Sequence, residues 1–493
     1  MMTRFEEASR CLLCHDAPCT SACPKGQDPA RALRAIRFDN APAAGLSLCA
    51  DACKGCDAPC EKACLKTGRP VSILETAQTL GNGSPAKKPE SADLSIDFCG
   101  VRCENPFFLA SSAICTGYDM VARAFDAGWA GVYYKTICLG EIKEVSPRFD
   151  AVDNDNSTFA GFRNMEQLSE NPAEVDFDIL RRLKQNYPSK VIVASIMGNS
   201  EDEWVKLAHM AEDAGADMIE LNFSCPQMKL AGMGSDVGQN PELVMFYTAF
   251  VKNAVKIPVI AKMTPNITHM SQPAGAAHMA GADAISAINT IKSVTMAPRS
   301  EVSGRRTISG YSGRAVKPIA LRFILEMATN PVMKHPANGN AYDTLQLSGI
   351  GGIETWRDAL EFIQLGCQNV QVCTAVMQYG YRIIDDLKDG LSRYMEESGV
   401  KSLAKLVGSE IRTFVRPSDL DRETRAFPTW DREKCIHCGR CYVSCMDGGH
   451  QAIRFEGDRI PKMIGSKCVG CHLCMLVCPV GAISPTKRTA VVK

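Results

Sequence analysis

The chain has 493 residues, enough for one large domain of about 250 residues or more together with smaller ones. Lys plus Arg and Asp plus Glu both number 55, so there is no net basic field to gather nucleic acid or anionic lipid. The first residues carry acids and lack an apolar core, and no later stretch approaches the roughly 20 apolar residues of a membrane span. These features predict a soluble, cytoplasmic protein.

Cysteine residues are concentrated near the two ends of the chain. Of the 24, nine lie between Cys11 and Cys64 and eight lie between Cys435 and Cys478. Disulfides belong mainly to exported proteins, and nothing in this sequence directs export. Because clustered cysteines in a cytosolic protein more often bind metal, both blocks are predicted metal sites.

The first block defines a predicted N-terminal iron–sulfur domain, residues 1–80. Its nine thiols could ligate two 4Fe-4S clusters with one thiol spare, and the spacing leaves zinc or a single cluster as alternatives. His15, inside the first run, is predicted to be a surface side chain. Residues 81–93 are rich in Gly, Pro, Ser and charge, which predicts a linker. The predicted ligands are Cys11, Cys14, Cys19, Cys23, Cys49, Cys53, Cys56, Cys60 and Cys64.

Residues 94–416 are predicted to form a (β/α)8 barrel, a TIM barrel of the α/β class. Eight short apolar or β-branched runs alternate there with amphipathic stretches, a pattern that favours a closed barrel over an open doubly wound sheet. In one such stretch Ser200 and Glu203 have the spacing of a capping box, and Gly215 is the predicted stop. No G-x-G-x-x-G follows a strand, so no dinucleotide-binding half is predicted. The strand runs are PFFLAS, GVYYKT, VIVASI, DMIELNF, PVIAKM, DAISAIN, DTLQLSG and NVQVC.

Polar residues follow several of these strands, at the end of a barrel where chemistry collects. Lys135 and Lys262 end predicted strands two and five, and a lysine inside a closed barrel is costly unless it faces a ligand. Each lysine alone could equally extend to the surface. Asn222 and Asn289 also end strands, which favours an inward direction for the set.

The ends of the last two strands offer backbone amides for an anion. Gly351 and Gly352 follow strand seven, and Cys373 and Thr374 follow strand eight. A phosphate commonly sits between these two loops in such barrels. The pattern therefore predicts a mononucleotide cofactor.

The tail, residues 417–493, is predicted to be a ferredoxin-like domain with two 4Fe-4S clusters. The spacing is Cys435-x2-Cys438-x2-Cys441-x3-Cys445, then Cys468-x2-Cys471-x2-Cys474-x3-Cys478-Pro479. In this run the fourth cysteine of each half ligates the other cluster. Zinc is the alternative ligand of four thiolates. The first predicted set is Cys435, Cys438, Cys441 and Cys478, and the second is Cys468, Cys471, Cys474 and Cys445.

Clusters transfer electrons singly, whereas organic substrates usually accept two. A flavin converts between these regimes, so the barrel, the phosphate site and the clusters together favour FMN as the cofactor.

The barrel resembles the pyrimidine-reducing domain of dihydropyrimidine dehydrogenase, which is similar to dihydroorotate dehydrogenases. The match covers nearly all of residues 95–395, and both cysteine blocks resemble the terminal iron–sulfur regions of that family. The motifs, in one order, are GWAGVYYKT, SPRF, NMEQLSE, VIVASIM, ELNFSCP, GQNPELV, AKMTPN, AINT, SGRAVKPIALR, GGIETW and QVCTAV.

The resemblance implies two sets of site residues. The residues implied around FMN are Ala110, Ser111, Lys135, Asn222, Lys262, Gly313, Gly352, Cys373 and Thr374, to which the phosphate argument adds Gly351. The residues implied around a pyrimidine are Asn164, Glu166, Asn222, Ser224, Asn289 and Thr290. Carboxamides and a carboxylate supply the donors and acceptors that a uracil edge needs.

The resemblance also implies the catalytic groups. Cys225 matches the family's general acid, a neutral thiol that protonates carbon 5 of the ring after hydride reaches carbon 6 from reduced FMN. Lys262 could stabilise the anionic reduced flavin. A buried apolar cysteine is the alternative for Cys225. The glycine-rich stretch that follows is predicted to be a mobile lid.

The chain departs from the family in two respects. The large family enzymes carry FAD- and NADPH-binding domains where this chain has only the linker at 81–93, so a separate flavin subunit or a ferredoxin is the expected electron donor. The family also completes one N-terminal cluster with a glutamine, whereas here Gln78 is about one residue out of register and Cys56 is additional.

Three functions remain open from the sequence. The favoured one is an oligomeric catalytic subunit that reduces uracil or thymine to the 5,6-dihydro form in pyrimidine catabolism. The second keeps the barrel but acts on dihydroorotate or another cyclic enone; an acid such as Glu166 near a substrate carboxylate disfavours orotate. The third is an electron-transfer subunit without its own substrate. The nicotinamide preference, the direction in the cell and the choice between uracil and thymine stay open.

Overall fold

The computed structural model describes residues 4–80, 92–154, 158–226, 233–295, 307–333 and 345–490. The predicted linker therefore lies outside the described residues except for positions 92 and 93, and most of the predicted lid after Cys225 does too. Contacts divide the chain into two compact units, Met1–Ile411 and Arg412–Lys493. The predicted domain limits within these units stay predictions.

A closed barrel of eight parallel strands dominates the described part of the first unit. Each predicted strand run contains one strand, so the barrel prediction is confirmed. The order around the barrel follows the chain, because each short strand is carried to its neighbour by a helical crossover. The strands are β1 (Phe107–Leu109), β2 (Gly131–Tyr133), β3 (Val191–Ile196), β4 (Met218–Asn222), β5 (Val259–Lys262), β6 (Ala284–Ala287), β7 (Gln346–Ile350) and β8 (Cys367–Val372).

The crossover helices cover the outside of the barrel. Ser200 caps one of them by accepting from the Glu203 amide at 3.4 Å, but the Glu203 carboxylate bonds the Asn199 amide instead of closing a capping box. Gly215 follows that helix at φ +82°, as predicted. The helices are Tyr118–Ala127, Ala173–Asn186, Glu201–Asp213, Pro241–Ala254, Ser271–Met279, Lys317–Thr329, Trp356–Gln364, Thr374–Tyr379 and Ile384–Glu397.

A four-stranded antiparallel sheet stands beside the mouth of the barrel. Its strands come from the loops after β2 and β6 and are Phe149–Asn154, Thr158–Asn164, Ile291–Ser293 and Ser309–Ser312. The buried guanidinium of Arg163 holds it together, donating to Ser309 Oγ at 2.7 Å and pairing with Asp150 at 3.4 Å. This sheet brings Asn164 opposite Gly310, at the end of the barrel where the strands terminate.

Short helices of the N-terminal segment surround a small core of their own, which includes Leu33, Ile36 and Ile73. These helices pack on the barrel through polar contacts. Arg34 Nε donates to Asp386 at 2.6 Å, Asn40 donates to Asp389 at 2.7 Å, and the Trp356 indole donates to the Asp39 carbonyl at 2.8 Å. The helices are Arg4–Ser9, Pro18–Ser21, Pro29–Arg37, Ala41–Ser47, Ala50–Cys53, Pro59–Lys62 and Ile73–Thr79.

The second unit is built from three short strand pairs and two helices. Its core contains Cys441, Ile453, Cys474 and Ile483. The strand pairs are Thr424–Arg425 with Thr489–Ala490, Pro428–Trp430 with Ile483–Pro485, and Ile453–Arg454 with Lys462–Met463. The helices are Arg440–Gly448 and Leu473–Leu476. Across the described ranges of both units, helices with the length and apolarity to cross a bilayer are absent.

The Arg34–Asp386 ion pair gives a test of how the N-terminal helices attach to the barrel. Arg34→Ala leaves a nearly buried carboxylate without its partner, which costs about 3 kcal/mol for buried pairs. We expect limited proteolysis to release residues 1–80 faster from this variant. Arg31→Ala, an exposed position on the same helix, is the control. Equal cleavage rates for the two variants would contradict a structural role of the pair.

Candidate functional site

A cleft of about 710 Å³, including its open mouth, lies at the carboxyl ends of the barrel strands. Its size is typical of small-molecule sites. Eight of the ten residues predicted around a cofactor line it, namely Ala110, Ser111, Lys262, Gly313, Gly351, Gly352, Cys373 and Thr374. Of the predicted substrate residues, Asn164, Asn289 and Thr290 line it as well.

Glycines form one end of the cleft. Gly351 and Gly352 have φ of +125° and +77°, and a Cβ on Gly352 would lie 2.8 Å from the backbone nitrogen of Lys317. Only glycine fits this backbone without strain or displacement. Because these two glycines have no side chain, a ligand can approach their main-chain amides closely, which suits a phosphate.

Glu354 lies at the same end of the cleft, beside Arg314. Burial raises the pKa of the Glu354 carboxyl to about 7, opposed by the Arg314 charge and, more weakly, by Arg37 of the N-terminal helices. The pKa is thus within the physiological range. A carboxyl that is neutral below this value and charged above it lies where an anion is expected to bind.

A buried ion pair lies beneath the other end of the cleft. Lys262 Nζ donates to Glu220 Oε1 at 3.2 Å, and the Glu220 side chain has no exposed surface. Ser195 Oγ donates to the same carboxylate at 3.0 Å and Ser286 Oγ donates at 2.7 Å. Glu220 therefore holds the Lys262 ammonium in the barrel, and Ser195 and Ser286 in turn hold the carboxylate. The surface alternative for this lysine is excluded, because its side chain is only 4% exposed.

A chain of hydrogen bonds joins the cleft wall to the predicted substrate residues. Thr136 Oγ1 lies 3.1 Å from Ser111 Oγ and 2.9 Å from Ser195 Oγ, and it accepts from the Asn222 amide at 2.9 Å. Asn222 Oδ1 in turn accepts from Ser224 Oγ at 2.7 Å, and Asn289 donates to Ser224 Oγ at 2.8 Å. Asn222 and Ser224 are not among the described residues that line the cleft, but these hydrogen bonds connect both of them to the lining.

Lys135 and Glu166 also lie behind the cleft wall instead of lining it. Lys135 Nζ pairs with Glu166 at 2.9 Å, and both side chains are nearly buried. Arg148 approaches the other Glu166 oxygen at 3.6 Å. Glu144 adds a second acid, whose pKa is raised by burial and by the Glu166 charge. Two acids and two bases thus form a compact charged cluster at the mouth of the barrel.

Cys225 follows Ser224 on the segment after β4. It is 5% exposed, and its carbonyl accepts from the Ser235 amide at 2.9 Å. Its side chain is not one of the described groups that line the cleft. The structure therefore leaves the thiol outside the described lining, next to Ser224 in the chain, and its role stays a prediction.

The cysteines of the second unit group as the spacing predicts. A hollow is lined by Cys435, Cys438, Cys441 and Cys478, the first predicted ligand set. Cys474 has its pKa raised to about 11 by burial and by the nearby Cys441, Cys445, Cys471 and Cys468 thiols. Cys478 thus lies with the first run, and Cys445 lies near Cys474; the assignment of the two ligand sets to clusters stays a prediction.

Several residues of this site were not singled out from the sequence. Glu220 could have been found, because an acid inside the apolar strand run DMIELNF needs a buried partner. Thr136, Ser195 and Ser286 offer no such signal, since hydroxyls are common in any strand. Arg148 and Glu144 act through partners that the chain order does not reveal.

Glu220→Gln tests the buried ion pair. The substitution leaves Lys262 charged and buried without a counter-ion, so we expect the free energy of unfolding of the barrel to fall by about 3 kcal/mol. Ser286→Ala, which removes one hydrogen bond to the same carboxylate, should cost about 1 kcal/mol. Thermal unfolding with both variants provides the measurement. A Glu220→Gln loss no larger than that of Ser286→Ala would show that Lys262 does not depend on the pair.

Glu354→Gln tests the charge at the glycine end of the cleft. The pKa of Glu354 is raised in the folded protein. The stability that the protonated carboxyl contributes is therefore present at acid pH and is lost as the pH rises through about 7. We expect FMN affinity of the wild type to fall relative to Glu354→Gln between about pH 6 and about pH 8, since the phosphate then meets a charged carboxylate. Fluorescence titration measures both proteins, and the phosphate's own titration cancels in the comparison. Parallel pH profiles would contradict this role.

Comparison with known proteins agrees with this architecture. A sequence model of the dihydroorotate dehydrogenase family matches residues 93–395, and a model of a 4Fe-4S dicluster domain matches residues 429–484. The second match confirms the predicted iron–sulfur domain at the C-terminus. The crystal structure of a dihydroorotate dehydrogenase from Eimeria tenella, in complex with ferulenol, has a TM-score of 0.54 at 19% identity. The match covers 65% of this chain and 89% of the Eimeria chain, and it shows that the two proteins share a fold.

Sequence relatives are more similar. The NAD-dependent dihydropyrimidine dehydrogenase subunit PreA of Escherichia coli (strain K12) is 52% identical over 79% of this chain and 95% of its own length. The chloroplastic dihydropyrimidine dehydrogenase (NADP(+)) of Arabidopsis thaliana is 37% identical over 66% of this chain and 79% of its own. The catalytic subunit of dihydroorotate dehydrogenase B (NAD(+)) from Pyrococcus abyssi is 33% identical over 65% and 99%. This chain belongs to the dihydroorotate dehydrogenase family of oxidoreductases and, within it, is related to the dihydropyrimidine dehydrogenases.

Proposed function

We propose that this chain is the catalytic subunit of a dihydropyrimidine dehydrogenase, which reduces uracil or thymine to the 5,6-dihydropyrimidine. Electrons reach it through iron–sulfur clusters from a partner subunit that binds FAD and NAD(P)H, or from a ferredoxin. The 52% identity to a protein named as a subunit of such an enzyme supports both the reaction and the need for a partner.

The cleft suits FMN. Gly351 and Gly352 offer amides to the phosphate, and Lys262 provides a positive charge at the other end of the lining. FMN, when bound, supplies hydride to the substrate and accepts electrons singly from clusters. The lining residues that would hold it are Ala110, Ser111, Lys262, Gly313, Gly351, Gly352, Cys373 and Thr374. Lys135 and Asn222, the other two residues implied by the resemblance, would act from outside the lining, through Glu166 and Thr136 respectively.

The carboxamides at the cleft mouth suit a pyrimidine, and this feature carries the proposal. Asn164 and Asn289 line the cleft, and Asn222 is joined to Asn289 through Ser224. Each amide offers both a donor and an acceptor, which matches the alternating N–H and C=O groups of a uracil edge. Thr290 completes the set in the lining.

Glu166 favours a neutral ring over an orotate. Its carboxylate accepts from Lys135 and is free to accept from a ring N–H as well, because a carboxylate has about four acceptor positions. A substrate carboxylate near Glu166 would be repelled. Glu144 adds little to this effect, because burial raises its pKa and the same cluster contains the Lys135 and Arg148 cations.

Cys225 is the proposed general acid. Its thiol donates a proton to carbon 5 of the ring while negative charge develops there, and its position next to Ser224 keeps it beside the substrate amides. The positive charge of Lys262 stabilises the negative charge that develops in the cleft, and Glu220 fixes the position of the lysine.

The N-terminal helices are proposed to carry two more 4Fe-4S clusters. Two hollows there are lined by cysteines, and the helices pack directly on the barrel. Some clusters could pass electrons between protomers of an oligomer.

Flavin reoxidation tests the proposal. The chain is purified anaerobically and reduced, and uracil, thymine or orotate is added separately while flavin absorbance is followed. We expect reoxidation with uracil or thymine but not orotate, and a rate lower by about 10²–10⁴-fold in Cys225→Ala, the usual contribution of a general acid. Cys138→Ala, another buried thiol of the barrel unit, is the matched control.

Each alternative has its own outcome in this experiment. A rate of flavin reoxidation that does not change when uracil, thymine or orotate is added would favour an electron-transfer subunit. A rate with orotate equal to that with uracil would favour dihydroorotate chemistry. A Cys225→Ala protein as fast as the control would remove the proposed acid while leaving the substrate in place.

A further inference from the structure

The nine N-terminal thiols separate into two groups of four and one remainder. The first hollow is lined by Cys11, Cys14, Cys19 and Cys64. The second hollow is lined by Cys23, Cys53, Cys56 and Cys60. The chain order does not give this division, because Cys23 leaves the first run and Cys64 leaves the second.

Electrostatic proximity agrees with the same division. Cys11 lies close to Cys19, Cys14 and Cys64. In the second group, Cys60 lies close to Cys23 and Cys53. The thiols of each hollow thus lie close enough to interact.

Cys49 is the remainder. It lines neither hollow among the described residues. Its sulfur accepts from the Ala52 amide at 3.4 Å, which caps the helix Ala50–Cys53, and its own amide donates to Gln27 at 3.1 Å. The nearby Cys53 does interact with it electrostatically, so Cys49 is the competing candidate for the fourth position.

We propose that the second hollow binds a 4Fe-4S cluster through four thiolates, those of Cys23, Cys53, Cys56 and Cys60, while Cys49 stays a free thiol. This inference rests on the proposed function, which assigns clusters to the N-terminal helices. Each thiol loses its proton as its sulfur bonds to iron. No carboxamide ligand is then needed.

Gln78 has no part in this ligand set. The helix Ile73–Thr79 contributes Ile73 and Leu74 to the second hollow, but Gln78 is exposed and does not line it. Gln78 lies one helical turn after Leu74, but the residues of this helix that reach the hollow are apolar. The additional Cys56 supplies the fourth donor in its place.

The exchange of a carboxamide for a thiolate changes the charge of the cluster. A neutral ligand in place of a thiolate raises the reduction potential of iron–sulfur centres, so a fourth thiolate lowers it. Lys25, which also lines this hollow, provides a positive charge against the added negative one. The second N-terminal cluster should accordingly be harder to reduce than one completed by glutamine.

Iron content of the full chain distinguishes the candidates. The wild type, prepared anaerobically, should hold about sixteen iron atoms, with about four per cluster. Cys56→Ala should lose up to about four iron atoms and the corresponding EPR signal after dithionite reduction. Cys49→Ala and Gln78→Ala should keep both.

A second variant guards against misfolding. Cys56→Ser replaces the sulfur donor with a smaller oxygen donor. We therefore expect the cluster to remain at least in part, with a shifted reduction potential. The C-terminal clusters of the same chain serve as an internal reference. A full iron content in Cys56→Ala, or an equal loss in Cys49→Ala or Gln78→Ala, would overturn the assignment. A wild type with only about eight iron atoms would instead overturn the N-terminal clusters of the proposed function, and the ligand set with them.

Discussion

The buried ion pair between Lys262 and Glu220 constrains both the barrel and its cleft. A carboxylate with no exposed surface requires its ammonium and hydroxyl partners, because an unpaired charge in the interior costs several kcal/mol. Ser195 lies directly opposite Glu220 in the parallel register, and Ser286 lies opposite Lys262. A shift of one residue would turn these side chains outward. The contact that holds the register therefore also fixes a positive charge at the cleft.

Hydroxyl groups extend this constraint from the interior to the substrate side. Thr136 contacts Ser111, Ser195 and Asn222 at once, so it links the cleft wall, the ion pair and the carboxamides. A satisfied buried network of this kind is rigid, because breaking one hydrogen bond would leave a polar group unpaired in the interior. The carboxamides are thereby held before any ligand arrives, which lowers the cost of ordering them on binding.

The sequence predicts the parts of this protein that depend on local pattern. The barrel strands were found because buried parallel strands are continuous apolar runs, and the C-terminal ligand sets because their spacing is diagnostic. The side sheet that carries Asn164 was missed, since the pairing that joins its two halves spans more than a hundred residues of chain. The Lys135–Glu166 pair and the division of the N-terminal thiols were missed for the same reason: proximity there follows from folding, not from spacing.

The N-terminal helices affect the cleft as well as carrying the cysteines. Arg37 donates to the carbonyl of Cys11 at 3.5 Å and to the Tyr379 hydroxyl at 2.6 Å. Tyr379 ends the helix Thr374–Tyr379, whose other end lines the cleft about 9 Å away. The Arg37 charge also lowers the pKa of Glu354 against the effect of burial. One guanidinium therefore contacts the backbone of the first cysteine hollow and also acts on a carboxyl that lines the cleft.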